Sequence, residues 1–166
     1  AGGGGRRIRP VRTAHANDIE SIIKKMDNNI IIVSGTNDEN NKEILELCKK
    51  YNNVYGTLGI HPESLDNINE HSLKFIEKHI NDEKIVAIGE IGLDYYYKTD
   101  NKEKQKELFI KQLEIAKKYN KPVVIHTRDS ISDTIAILKN YKELKKDIHC
   151  YSGSVESAKE LIKMNC

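Results

Sequence analysis

From residue 30 onward, short apolar runs alternate with longer charged stretches. The runs are Ile30-Ile31-Ile32-Val33, residues 54–60, Ile85-Val86-Ala87-Ile88, Val123-Val124-Ile125, and a weaker one at Ile148. Continuous β-branched runs of this length suit strands buried on both faces, as in parallel sheets. The stretches between them carry apolar residues spaced by three and four, the stripe of an amphipathic helix. Helices are predicted over 40–51 (Ile44, Leu47, Cys48, Tyr51), 72–80 (Leu73, Ile76, Ile80) and 102–119 (Phe109, Leu113, Ala116). Two more follow over 130–141 (Ile131, Ile135, Leu138) and 155–164 (Val155, Ala158, Ile162), and another precedes the first run over 18–26. Asp129 is the expected N-cap of the 130–141 helix. Alternating strands and helices predict an α/β fold with a parallel sheet. Periodicity alone leaves an open doubly wound sheet and a (β/α)8 barrel as alternatives.

Composition narrows the class. With 38% hydrophobic and 31% charged residues, the 166-residue chain is neither disordered nor membrane-embedded in character. It has no apolar stretch of spanning length and no signal-peptide pattern. Cys48, Cys150 and Cys166 show no metal or redox spacing, which fits reduced thiols and a cytoplasmic location. The net charge of +2 belongs to the first segment. Four of the five arginines are Arg6, Arg7, Arg9 and Arg12, and without them 23 basic residues face 25 acidic ones, a net −2. Residues 1–16 also differ in composition, being mostly Gly, Ala, Arg and Pro against a body rich in Lys, Asn and Ile. They read as a non-native or disordered leader, and residues 17–166 as the folded domain.

The candidate chemistry follows the strands. Four of the runs are followed closely by a reactive residue: His61, Glu90, His126 and His149. Each lies about one strand–helix unit from the next, so the four recur at the same end of successive strands. In a barrel those ends converge on one mouth. Three imidazoles and a carboxylate meeting there would suit a divalent ion. His71 and His79 fall on helical stretches and are expected to be solvated.

The local words are more specific than the spacing. Gly59-Ile60-His61-Pro62, Gly89-Glu90-Ile91-Gly92-Leu93-Asp94-Tyr95, Val124-Ile125-His126-Thr127-Arg128-Asp129 and His149-Cys150-Tyr151-Ser152-Gly153 occur in series. In this order they resemble the TatD family of metal-dependent hydrolases, whose best-known members are deoxyribonucleases. The resemblance runs from about Asp18 to Cys166. It implies a (β/α)8 barrel of the TIM type and one or two divalent metal ions (Mg, Mn or Zn). By the same resemblance Glu90, His126 and His149 match metal ligands, with Glu90 able to bridge two ions. His61 and Asp94 match positions lining the site and are assigned to substrate or water handling. Arg128 could hold a substrate phosphate.

Two departures accompany the resemblance. The family's opening Asp-[Ser/Thr]-His-x-His word has only Thr13-Ala14-His15-Ala16 as its nearest counterpart here, and His15 is not counted as a ligand. The late aspartate of a Glu-Thr-Asp-type word has no counterpart. A complete barrel takes about 250 residues, so the five runs are expected to match the family's second to sixth strands. The first is replaced, and the seventh and eighth are missing. The expected function is hydrolysis of DNA phosphodiester bonds. The alternatives are a catalytically inactive fragment of such an enzyme, a metal-dependent hydrolase of a non-nucleic substrate, and a nucleic-acid-binding module using the basic leader.

Overall fold

The computed structural model describes residues 16–166 except 27, 150 and 152. The predicted leader, with its basic arm and His15, lies outside the described residues up to Ala16. There the first helix begins, two residues earlier than predicted. The elements run α1 (Ala16–Lys25), β1 (Ile31–Ser34), α2 (Asp38–Lys50), β2 (Val54–Leu58), a 3-10 turn (Pro62–Asn67), α3 (Glu70–His79) and β3 (Ile85–Asp94). Then come α4 (Lys102–Tyr119), β4 (Val123–Arg128), α5 (Ile131–Leu138), β5 (Lys146–Ile148) and α6 (Val155–Lys163).

The five strands form one sheet in the order β1-β2-β3-β4-β5, and every pairing is parallel. This order decides between the two architectures that periodicity left open. A doubly wound sheet reverses its order at a switch point, whereas a barrel wall adds each strand beside the last. The described sheet is therefore a section of a (β/α)8 barrel wall.

Burial explains the stripes. Ile44 of α2, Ile76 of α3, and Phe109, Leu113 and Ala116 of α4 are fully buried against Val54, Leu58, Ile85, Ile88 and Ile91 of the strands. Emptying one such large site costs about 3–5 kcal/mol. The helices begin where the side chains can cap them. Asn37 and Ser154 accept from backbone N–H groups in the first turns of α2 and α6, and Asn69 with Ser72 forms a capping box on α3. The expected cap on α5 is one residue off. Asp129 takes a left-handed φ of 52° and Ser130 occupies the N-cap. The Ser130 hydroxyl turns inward instead and donates to the Leu93 carbonyl at 2.9 Å.

Strand lengths also differ from the apolar runs. β2 ends at Leu58, before the Gly59–Ile60 approach to His61. β3 continues six residues past Ile88 to Asp94. Ile88 pairs with Val123 but Ile91 with Ile125, so β3 uses one residue more than β4 across Gly89 and Glu90. A bulge of this kind redirects a side chain without ending the strand. Glu90 thus lies within β3, not beyond it.

Candidate metal centre

The site is built on backbone that is held by neutral side chains. Gly59 is gripped by Asn41, whose Nδ2 donates to the Gly59 carbonyl (3.1 Å) and whose Oδ1 accepts from its N–H (3.2 Å). Gln112 does the same for Ile60, accepting at 2.8 Å and donating at 3.1 Å. Gln105 does it for Asp94, with both bonds at 2.9 Å. All three amides are buried. Each satisfies a peptide unit where the sheet ladder has ended or frayed, and an unmet buried polar group there costs about 1–3 kcal/mol. The segment after β1 contributes carbonyls: Gly35 accepts from Glu90 N–H (2.8 Å) and Thr36 from His61 N–H (2.9 Å).

Glycine lets these segments approach. A Cβ on Gly59 would lie 2.6 Å from the Gly89 carbonyl carbon. Gly92 has φ +142°, and a Cβ there would meet the His126 carbonyl oxygen at 2.0 Å. Only glycine fits that position.

On this frame His61, Glu90 and His126 converge. Each offers one ligand atom, and the three atoms lie within 4.8 Å of one another. The His61 and His126 rings stand 4.4 Å apart between centroids. His61 Nδ1 accepts from Glu63 N–H at 3.1 Å, which sets its ring. His126 links two carboxylates, with Nδ1 3.2 Å from Glu90 Oε1 and Nε2 2.8 Å from Asp94 Oδ2. Asp94 is almost fully buried, and its other oxygen accepts from Tyr96 N–H at 3.0 Å.

The electrostatics favour a cation. Burial works to raise the Glu90 carboxyl, but the hydrogen bond from His126 and the charges of His61, His126 and His149 outweigh it and hold it below the usual range. Burial likewise works to lower the His126 imidazole, but hydrogen bonds to Glu90 and Asp94 raise it above its ordinary value. In this arrangement the two carboxylates favour the protonated form of the imidazole between them. Two imidazoles and a carboxylate with close donor atoms fit a divalent ion such as Zn²⁺ or Mn²⁺. A carboxylate on the second nitrogen of His126 is the usual support of a ligating histidine.

The other two candidates stand outside this trio. His149 follows β5, its N–H bonded to the Ile125 carbonyl at 2.9 Å. Its charge acts on Glu90, but it is not in the group of donors that converge within 4.8 Å. Arg128, at the tip of β4, faces solvent. Its guanidinium lies over the Tyr96 ring, 3.7 Å from the centroid, and 5.3 Å from that of Tyr97. Tyr97 in turn lines, with Pro62, Asp94 and Gln105, a cavity of about 220 Å³.

Residues 11–166 match the family described as TatD related DNase. The chain belongs to the TatD family. Among its relatives, the uncharacterized metal-dependent hydrolase YabD of Bacillus subtilis is 37% identical over 137 residues, covering 81% of this chain and 54% of YabD. MJ1582 of Methanocaldococcus jannaschii, named in the same terms, is 40% identical over 142 residues, covering 84% and 54%. Solved TatD structures agree. YjjV, the TatD homolog from Escherichia coli, superposes with a TM-score of 0.82 at 30% identity, over 90% of this chain and 60% of its own. The TatD family hydrolase of Entamoeba histolytica gives 0.78 at 28%, over 90% and 55%. The chain spans about half the length of the curated relatives it matches. Among the described residues, no helix is long and apolar enough to cross a membrane.

Sequence reasoning passed over Asn41, Gln105 and Gln112. They sit in predicted helices among many charged residues and carry no reactive group. The signal that could have found them is their place on the apolar stripe: Gln105 and Gln112 are spaced by seven, in line with Phe109 and Leu108. A polar residue on a buried face needs a partner.

Proposed function

We propose that this TatD-family chain takes part in metal-dependent hydrolysis of phosphodiester bonds in DNA. The observation that carries the reading is the convergence of His61, Glu90 and His126, with Asp94 behind His126 and the exposed guanidinium of Arg128 at the rim. Glu90 and His126 hold the ion, with His61 or His149 completing the set. When bound, a divalent ion supplies Lewis acidity toward a phosphoryl oxygen and toward water.

The protein's own residues do the rest. Asp94 keeps the His126 ring oriented through the 2.8 Å bond to Nε2. His61, its Nδ1 occupied by Glu63 N–H, can position water. Arg128 suits a non-reacting phosphate oxygen, since a guanidinium offers paired donors to an oxyanion. The test is nuclease activity with Mg²⁺, Mn²⁺ or Zn²⁺, beside Glu90→Ala. The expected result is metal-dependent cleavage that the variant loses. Equal activity in the two proteins overturns the assignment. Metal-dependent cleavage of other esters but not of DNA moves the reading to a different substrate.

A further inference from the structure

The geometry points to Tyr96, Tyr97 and Arg128 as a stacking subsite for an unpaired nucleotide of the DNA strand, beside the metal centre. This rests on the DNA-hydrolase reading above and adds what the site would grip. Tyr96 is 55% and Tyr97 69% exposed, although they lie two and three residues past the end of a strand whose side chains are almost all buried. Their rings meet edge to face at 4.7 Å. Arg128 lies against Tyr96 and, among the described residues, forms no ion pair. An exposed aromatic pair backed by an uncompensated guanidinium is the combination that single strands use: bases stack on the rings while the cation meets the backbone.

The subsite is tied to the chemistry by one carboxylate. Asp94 holds His126 with Oδ2 and the Tyr96 backbone with Oδ1. Asp94 also pairs in register with Arg128 across β3 and β4. Arg128 and His126 are two residues apart on β4 and so point to the same face. A strand lying on Tyr96 is thereby brought alongside the ligand cluster. A duplex keeps its base faces buried in its own stack, so the rings would serve an unpaired base only.

The test measures binding separately from cleavage. Fluorescence anisotropy of a labelled single-stranded oligothymidine is recorded in EDTA for the full chain, Tyr96→Ala, Tyr96→Phe and Arg128→Lys. One stacked base is worth about 1–3 kcal/mol, so Tyr96→Ala should weaken binding about fivefold or more. Tyr96→Phe, which keeps the ring, should bind like the parent. Arg128→Lys, which keeps the charge but not the planar stack, should fall between. A duplex probe should respond little to Tyr96→Ala. Parent-like binding by Tyr96→Ala, equal losses on single strand and duplex, or no binding by the parent each overturns the subsite. A parent that binds as expected but cleaves no DNA with any of the three metals leaves the subsite standing and removes the hydrolase reading.

Discussion

The two seams flanking β4 differ in depth. Toward β3 the pairing runs to the strand tips, through Gly92 opposite His126 and Asp94 opposite Arg128. Toward β5, among the described residues, the pairing runs only to Ile125 opposite Ile148, one residue short of His126. The deep seam carries Glu90, Asp94 and His126, and it is braced by Gln105 and by the inward hydroxyl of Ser130. The shallow seam carries His149, whose N–H donates to the Ile125 carbonyl. Donors converge where the backbone beneath them is braced on several sides. A histidine in the matching position on the next strand stays at the edge of the group.

The strongest way to break the deep seam is Gly92→Ala. The left-handed φ and the 2.0 Å approach to the His126 carbonyl leave no room for a methyl group. The expected loss is about 3 kcal/mol or more in urea unfolding. Gly153→Ala, on the β5 side, is the comparison. Its methyl would meet the hydroxyl end of the Tyr151 ring, which can move, so unfolding should shift little.

Gln112→Ala comes next. It strands the N–H and carbonyl of Ile60 in the interior, with an expected cost of about 2–4 kcal/mol from two unmet groups. Gln112→Glu keeps the acceptor, loses the donor and buries a carboxylate against the Ile60 carbonyl, so it should cost at least as much. Thermal unfolding of the three proteins checks the order.

Metal binding sharpens the seam comparison itself. Calorimetric titration with Zn²⁺ should show His126→Ala and His61→Ala losing affinity by about tenfold to a hundredfold or more. His149→Ala should lose less. If His149→Ala is the most damaging of the three, the ion sits toward the shallow seam. Saturating metal should also raise the unfolding free energy, by about 2.7 kcal/mol at a hundred times Kd, and chelation should remove that gain.

The smallest effect lies at the outer rim of the deep seam. Tyr95 donates to Asp133 Oδ2 at 2.7 Å. That bond is the main reason the Asp133 carboxyl sits below its ordinary value, with Lys106 adding to it against some burial. A lowered carboxyl contributes stability above its unfolded value of about 3.9 and loses it as pH falls through the folded value. Tyr95→Phe should therefore cost a fraction of a kcal/mol near neutral pH, the site being partly solvated. The difference should close in acid, as read from unfolding curves at stepped pH.

The apolar runs and stripes were enough to place the elements, because burial on both strand faces leaves a continuous β-branched signature. The words around Glu90 and His126 picked out two of the three residues that converge. Other features were hidden for physical reasons. The continuation of β3 through Gly89-Glu90-Ile91-Gly92 breaks the apolar run with a bulge that only the neighbouring strand defines. The cap of α5 passed from Asp129 to Ser130 because the chain turns left-handed at Asp129, which depends on the packing of β4 beside Leu93. Spacing could say that His61 and His149 follow successive strands, but not how far each reaches past its ladder. For His61 that reach is set by Asn41, Gln112 and the Thr36 carbonyl, all remote from it in sequence.

The amide grips at Gly59, Ile60 and Asp94 have one more consequence. Each is made by an uncharged group that both gives and takes a proton bond, so the scaffold contributes almost no monopole to the basin it encloses. Had arginine or glutamate done the same bracing, every brace would have tuned the cation. As it stands, the mouth of the barrel can be reshaped around the donors through its framework, while its appetite for charge is written by the donors and the ionisable groups beside them, Asp94 and His149.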